Sequence, residues 1–248
     1  MENKVNILGV NIDKVNIDEA VDRIFDMLEE RKCHSVFTPN SEIILNAYKD
    51  PEFAEILNSA DLLTADGIGV VYASRILGDP IESRAAGFDI ACGVIDRISE
   101  SGHRLFLFGG KPGVAEQAKR NLEAKYPFIQ IVGTRNGYFK PEESSIIVNE
   151  INSVGADIVF VCLGAPKQEM WISENQNRLR ARVLMGIGGS LDVFAGEVER
   201  APEVWCNLGL EWLYRLIKEP WRFKRMLSLP KFALTVLFKG ERAGGNEE

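Results

Sequence analysis

Histidine is scarce in this chain of 248 residues, which holds only His34 and His103. Both precede apolar strand-like runs instead of ending them, so neither suits proton transfer at the edge where parallel strands terminate. Cysteine is nearly as sparse. Cys33, Cys92, Cys162 and Cys206 lie far apart with no Cys-x-x-Cys pair, which excludes a zinc ribbon and a disulfide framework, and Cys162 falls inside an apolar run where it reads as core. The chain also lacks an Asp-x-Asp and any other cluster of His, Cys or carboxylates suited to a divalent ion, so neither a metal nor a cofactor is expected. No apolar run approaches membrane-spanning length. The opening Met1-Glu2-Asn3-Lys4 leads into a short, polar-interrupted run with no secretory signal, and a cytoplasmic protein is expected. There is no P-loop and no early Gly-x-Gly-x-x-Gly followed by an acidic residue, which argues against a nicotinamide-dependent dehydrogenase.

What is present is a 46% hydrophobic composition, enough for a large core in one α/β domain with an appendage or in two smaller units. Apolar runs and helical stripes alternate. Val5 to Ile12 reads as a hairpin around Gly9, and Asp18 is expected to cap a helix with its stripe at Ala20, Ile24 and Met27-Leu28. Strands are expected at Ser35–Thr38, Leu62–Ala65, Arg104–Phe108, Ile129–Val132, Ile158–Leu163 and Val183–Met185, with helices between them. This alternation predicts an α/β fold built on a mainly parallel sheet flanked by helices.

Three of the strands run into glycine-rich turns: Gly109-Gly110-Lys111-Pro112-Gly113, Gly164-Ala165-Pro166 and Gly186-Ile187-Gly188-Gly189-Ser190. In a parallel sheet these turns share the carboxyl edge, where open α/β folds bind ligands, and glycine permits close backbone approach to a phosphate. The turn after Leu163 also brings Lys167, Gln168 and Glu169 to a helix N-terminus, where unpaired N–H groups favour anions. Alternatively, these are ordinary βα turns with solvated first helical turns.

Charge is unevenly distributed. Residues 1–211 carry 21 basic and 32 acidic residues, a net −11, whereas 212–240 carry seven basic residues and one acidic, a net +6. Trp212, Tyr214, Trp221, Phe223, Phe232 and Phe238 are interleaved with those cations, a mixture suited to an anionic bilayer surface. The alternative is one amphipathic helix packed on its own core through Trp205, Leu208, Trp212 and Leu216. An overall charge of −7 argues against nucleic acid as a partner.

Seven motifs in order resemble the WecG/TagA/CpsF glycosyltransferases: Thr38-Pro39-Asn40, Ala65-Asp66-Gly67, Gly109-Gly110-Lys111-Pro112-Gly113, Asn136-Gly137-Tyr138-Phe139, Leu163-Gly164-Ala165-Pro166-Lys167-Gln168-Glu169, Gly188-Gly189-Ser190-Leu191-Asp192 and Arg200-Ala201-Pro202. The likeness continues through Gly209-Leu210-Glu211-Trp212-Leu213-Tyr214-Arg215-Leu216 and Glu219-Pro220-Trp221-Arg222-Phe223-Lys224-Arg225, and is greatest for the TagA branch. It implies a Rossmann-like core of the GT-E type over residues 1–200 and a membrane-associating appendage over 201–248. It further implies an inverting transfer of N-acetylmannosamine from its UDP donor to undecaprenyl-diphosphate-linked N-acetylglucosamine in wall teichoic acid synthesis. The protein would then act peripherally at the inner face of the bacterial membrane, and a homo-oligomer stays open. The same fold acting on UDP-N-acetylmannosaminuronic acid, or a non-catalytic nucleotide-sugar sensor, are the competing expectations.

Inversion at an anomeric carbon needs one base and stabilisation of the leaving diphosphate. Asp66, directly after a strand and before a glycine, is the expected base and matches the family's catalytic aspartate; its alternative role is a helix N-cap. By resemblance, Thr38 and Gln168 contact the sugars or diphosphate, Arg84 neutralises diphosphate charge, and Asn40 and Asp192 hold the donor, with Gly109, Gly110, Tyr138 and Gly164 as further substrate-binding positions. Arg84 could instead form a surface ion pair with Glu82 or Asp89. Arg215, Arg222 and Arg225 resemble the appendage arginines that reach the lipid diphosphate, a task that suits guanidinium because its fork binds phosphate oxygens in pairs.

Overall fold

A computed structural model describes residues 3–218, 220, 223 and 227–240. Its centre is a six-stranded, wholly parallel sheet built from β3 (His34–Phe37), β4 (Leu62–Leu63), β5 (Arg104–Gly109), β6 (Gln130–Arg135), β7 (Ile158–Cys162) and β8 (Val183–Gly186), in the spatial order β4-β3-β8-β7-β5-β6. A separate antiparallel hairpin, β1 (Lys4–Ile7) and β2 (Val10–Asp13), turns at Leu8-Gly9 as expected. Strands β7 and β8 are buried along their whole length, which is why they read as continuous apolar runs and not as alternating ones.

Helices cover both faces of the sheet, and two apolar clusters result. One gathers α2 (Ser41–Ala47), α3 (Pro51–Asn58), α4 (Ile68–Ile76), α7 (Ser144–Val154) and α8 (Lys167–Asn175); the other gathers α1 (Ile17–Glu29), α5 (Gly87–Ser101) and α6 (Val114–Lys125). The short α9 (Ser190–Phe194) follows β8. The cap of α1 differs from expectation. Asn16 is the N-cap, accepting from the Glu19 N–H while Glu19 reaches back to the Asn16 N–H, and Asp18 lies inside the first turn. The reciprocal pair satisfies two end donors, where Asp18 alone would satisfy one.

The polypeptide beyond residue 200 is not one helix. It forms α10 (Glu203–Asn207), a turn at Gly209 with φ of +69°, α11 (Glu211–Lys218) and, after Pro220, α12 (Ser228–Lys239). The single stripe of Trp205, Leu208, Trp212 and Leu216 is therefore broken, because the left-handed turn at Gly209 redirects the backbone between Leu208 and Trp212. Leu208 is exposed. α12 packs against α2 and α4 and places Phe232 and Val236 in the first apolar cluster. No helix among the described residues is long and apolar enough to cross a membrane.

The topology locates a site. The connection from β5 leads outward to β6, whereas the connection from β7 leads the other way to β8, so the sheet order reverses between these neighbouring strands. Such a reversal opens a crevice beyond the carboxyl ends of the strands. His34 lies at the opposite, amino end of β3, with its ring 3.1 Å from Glu30 and 3.2 Å from Asp61.

Candidate active site

Asp66 occupies the short segment between β4 and α4. Its backbone N–H donates to the Pro39 carbonyl at 3.1 Å, and the neighbouring Ala65 carbonyl accepts from Ala85 at 2.9 Å. These bonds fasten three loops, those after β3, after β4 and before α5, into one rim. The N-cap position of α4 is Gly67, with φ of +93°, so Asp66 stands one residue ahead of the cap position. Its Oδ2 accepts from the Gly87 N–H at 3.4 Å, at the start of α5.

Thr38 follows directly. The buried hydroxyl donates to the Gly186 carbonyl at 3.4 Å, which joins the exits of β3 and β8. Gly87 is what allows this: a Cβ there would lie 2.5 Å from Thr38 Oγ1, so the start of α5 approaches β3 only because the residue is glycine. On the other side Gln168 closes the row. It is buried in the first turn of α8, its Oε1 accepts from the Gly188 N–H at 3.1 Å, and its Nε2 donates to Glu169 at 2.9 Å. Thr38, Asp66 and Gln168 thus stand beyond the ends of β3, β4 and β7 at one edge of the sheet although 130 positions separate the first and last of them in the sequence.

Arg84 joins them from the loop before α5. Its guanidinium bonds Glu211 of α11 at 3.0 Å, approaches Asp89 at 3.5 Å, and interacts electrostatically with Asp66. Burial works against its charge, but these carboxylates more than compensate and hold the group above its ordinary range. Of the two carboxylates named in the alternative reading, Asp89 is a partner and Glu82 is not, and the carboxylate of Glu211 was not anticipated. Asn40 stands next to Thr38 as the N-cap of α2, with Oδ1 accepting from the Glu42 and Ile43 N–H groups at 3.0 and 3.1 Å.

The second half of the site lies at the sheet reversal. Gly110 donates to the Cys162 carbonyl at 3.1 Å, and its own carbonyl accepts from Gly137 at 2.9 Å. The turns after β5, β6 and β7 are stacked in contact through these glycines. Tyr138 is 67% exposed on that stack, beside Phe139, whose ring carries the Lys167 ammonium 4.4 Å from its centroid. Lys167 also donates to the Gly137 carbonyl at 3.1 Å, tying the α8 start to the same loop. Gly164, with φ of +75°, begins the turn into α8. Asp192 sits in the first turn of α9, close enough to Cys162 to act on it electrostatically. Arg222 and Arg225 lie outside the described residues, as does the side chain of Arg215; the backbone of Arg215 is in α11.

Glu169 is the residue whose state the sequence gave least reason to expect. It is 1% exposed, and its Oε2 has no hydrogen-bond partner. Burial pushes its carboxyl above the usual range, although the Gln168 bond works in the opposite sense. The folded chain therefore keeps this proton to higher pH than the unfolded chain does, so stability falls as pH rises from the ordinary carboxylate value. Glu169→Gln is expected to unfold at a higher temperature than the parent at about pH 8, and the advantage should vanish near pH 4. Melting curves at the two pH values check this, and an advantage that grows toward acid would contradict it.

Positions 5–244 match the sequence model of the Glycosyl transferase WecG/TagA/CpsF family. The N-acetylglucosaminyldiphosphoundecaprenol N-acetyl-beta-D-mannosaminyltransferase of Bacillus subtilis is 39% identical over 223 residues, covering 90% of this chain and 86% of that protein. The protein of the same name from Bacillus spizizenii is 38% identical over 216 residues, covering 87% of this chain and 83% of its own length.

Proposed function

The chain belongs to the WecG/TagA/CpsF family of glycosyltransferases, and from that premise we propose that it transfers N-acetylmannosamine from UDP-N-acetylmannosamine to N-acetylglucosamine carried on undecaprenyl diphosphate. The proposed product is a β-1,4 linkage, formed with inversion, in wall teichoic acid linkage-unit synthesis. One observation carries the site assignment: Asp66, Thr38, Gln168 and Arg84 share one rim at the strand ends, with the aspartate one residue ahead of the α4 N-cap position. The names of the two relatives supply the acceptor and the transferred sugar.

In the proposed reaction the acceptor hydroxyl oxygen attacks the anomeric carbon, its proton passes to Asp66, and the carbon–oxygen bond to the diphosphate breaks with its electron pair going to the departing UDP. Arg84 supplies a positive charge that acts electrostatically on that base, and oriented donors aimed at developing charge are effective where water is excluded. The exposed Tyr138 ring and the glycine stack beneath it offer a flat apolar face and close backbone approach, which suit a nucleotide base and its diphosphate.

Stabilisation of the leaving group is proposed to need no metal. Among the described residues no three His, Cys, Asp or Glu side chains gather into a ligand set. Full transfer in the presence of EDTA is the expected result, and a strict Mg²⁺ requirement would overturn it. Docking at the inner membrane face is proposed for the C-terminal segment, supported by its +6 charge and by the exposure of Trp212, Phe223, Leu227, Leu234, Leu237 and Phe238.

The test is transfer of radiolabelled sugar from UDP-N-acetylmannosamine to a lipid-diphosphate N-acetylglucosamine acceptor. Transfer is expected. Donor binding without transfer, or preference for the uronic acid donor in competition, would redirect the assignment.

A further inference from the structure

We propose that Glu211 is the positioning residue for Arg84, holding the guanidinium beside Asp66 without letting it close onto Asp66. The inference rests on the transferase reading above. It starts from the loop that carries Arg84. Residues 82–86 have no helix or strand to fix a long side chain, so the guanidinium takes its place from its partners alone. Two carboxylates supply that place. Glu211 Oε2 lies 3.0 Å from Nη1, and Asp89 Oδ2 lies 3.5 Å from Nη2.

Asp89 is a divided partner. Its other oxygen is bonded by Arg200, whose guanidinium also lies over the Phe88 ring, 4.7 Å from the centroid. Glu211 is the closer of the two partners, at 3.0 Å against 3.5 Å, and both members of the Arg84–Glu211 pair are largely buried, with side chains 18% and 20% exposed. Such a pair is screened less than a surface one. Without Glu211, the nearby carboxylates left to Arg84 are Asp89 and Asp66. An arginine closed onto Asp66 would occupy the base and withdraw the cation from the leaving diphosphate in one movement.

Glu211 is itself well placed to act this way. It stands in the first turn of α11, where the helix dipole favours a carboxylate. The turn before it is set against the core, because a Cβ on Gly209 would lie 3.0 Å from Ile68 Cγ1, in the first turn of the helix that follows Asp66. The α10–α11 turn thus touches the rim twice, once by packing and once through the ion pair. Seating of the C-terminal segment and orientation of Arg84 become one event.

The experiment is a double-mutant cycle in the full-length protein, with Arg84→Ala, Glu211→Ala and the pair, reading kcat and KM for sugar transfer and, separately, UDP affinity by calorimetry. Glu211→Ala is expected to lower kcat by about ten- to a hundred-fold, the range reached when a catalytic group is misplaced by about an ångström. In the Arg84→Ala background the same change should add almost nothing, in transfer and in UDP affinity alike. A residue that only stabilises the fold would give losses that multiply. Should Glu211→Ala not fold, Glu211→Gln, which keeps an oxygen acceptor for the guanidinium, replaces it in the cycle and should lose less. Multiplying losses, or faster transfer or tighter UDP binding in the Glu211 variant, would overturn the proposal. The UDP arm does not depend on the choice of sugar or acceptor, so a wrong substrate assignment and a wrong role for Glu211 give different results.

Discussion

Asp66→Asn is expected to reduce turnover by ~10²–10⁴-fold while the protein remains folded. The size follows from removal of the one group on the rim assigned to take the acceptor proton. Retention of the fold follows from what Asp66 does in the structure. Its backbone N–H bond to Pro39 survives any side-chain change, the N-cap position of α4 is Gly67, and the long 3.4 Å bond from Gly87 can be accepted by an amide oxygen. The measurement is radiolabelled transfer beside a far-ultraviolet dichroism spectrum. Near-normal turnover would show that another group is the base, and a lost spectrum would show that the carboxylate is structural.

Gly109→Ala is expected to be the most damaging single change to the fold at the site, at about 3–5 kcal/mol. Two causes add. Gly109 has φ of +135°, a conformation that a side chain strains. Its Cβ would also lie 2.5 Å from the carbonyl carbon of Cys162, the residue it faces in the β5–β7 register. The obstacle is backbone in the middle of the sheet, so no rotamer change relieves it. Because Gly110 bonds both Cys162 and Gly137, the displacement would pass to the turns after β6 and β7 together. Denaturant unfolding measures the loss, and a variant within about 1 kcal/mol of the parent would contradict the stacked arrangement.

Much of the fold was legible because burial on both faces writes parallel strands as apolar runs, as with Ile158–Cys162. The hairpin around Gly9 was legible for a related reason: a positive-φ turn between two short strands leaves a glycine as its signature. Strand β4 was expected to reach Ala65 but ends at Leu63; beyond it the Thr64 N–H still donates to the Phe37 carbonyl at 3.0 Å while its hydroxyl donates to the Ala85 carbonyl, and the rim begins there. The break between α10 and α11 was not legible, since periodicity runs straight through Gly209 while the backbone does not.

At the site, the sequence by itself determined which residue types end each strand: the aspartate after β4, the threonine after β3 and the glycines after β5, β7 and β8. It did so because the demands of a parallel sheet and a carboxyl-edge crevice act on local sequence, one strand end at a time. Only the tertiary structure decided the partnerships. Gly87 had to be small because Thr38 lies against it, Gln168 is held by Gly188 and Glu169, and Arg84 meets Glu211 across 127 positions of chain. Contacts of that separation leave no local pattern, because nothing in the spacing of residues along the chain records which loops the sheet will bring together.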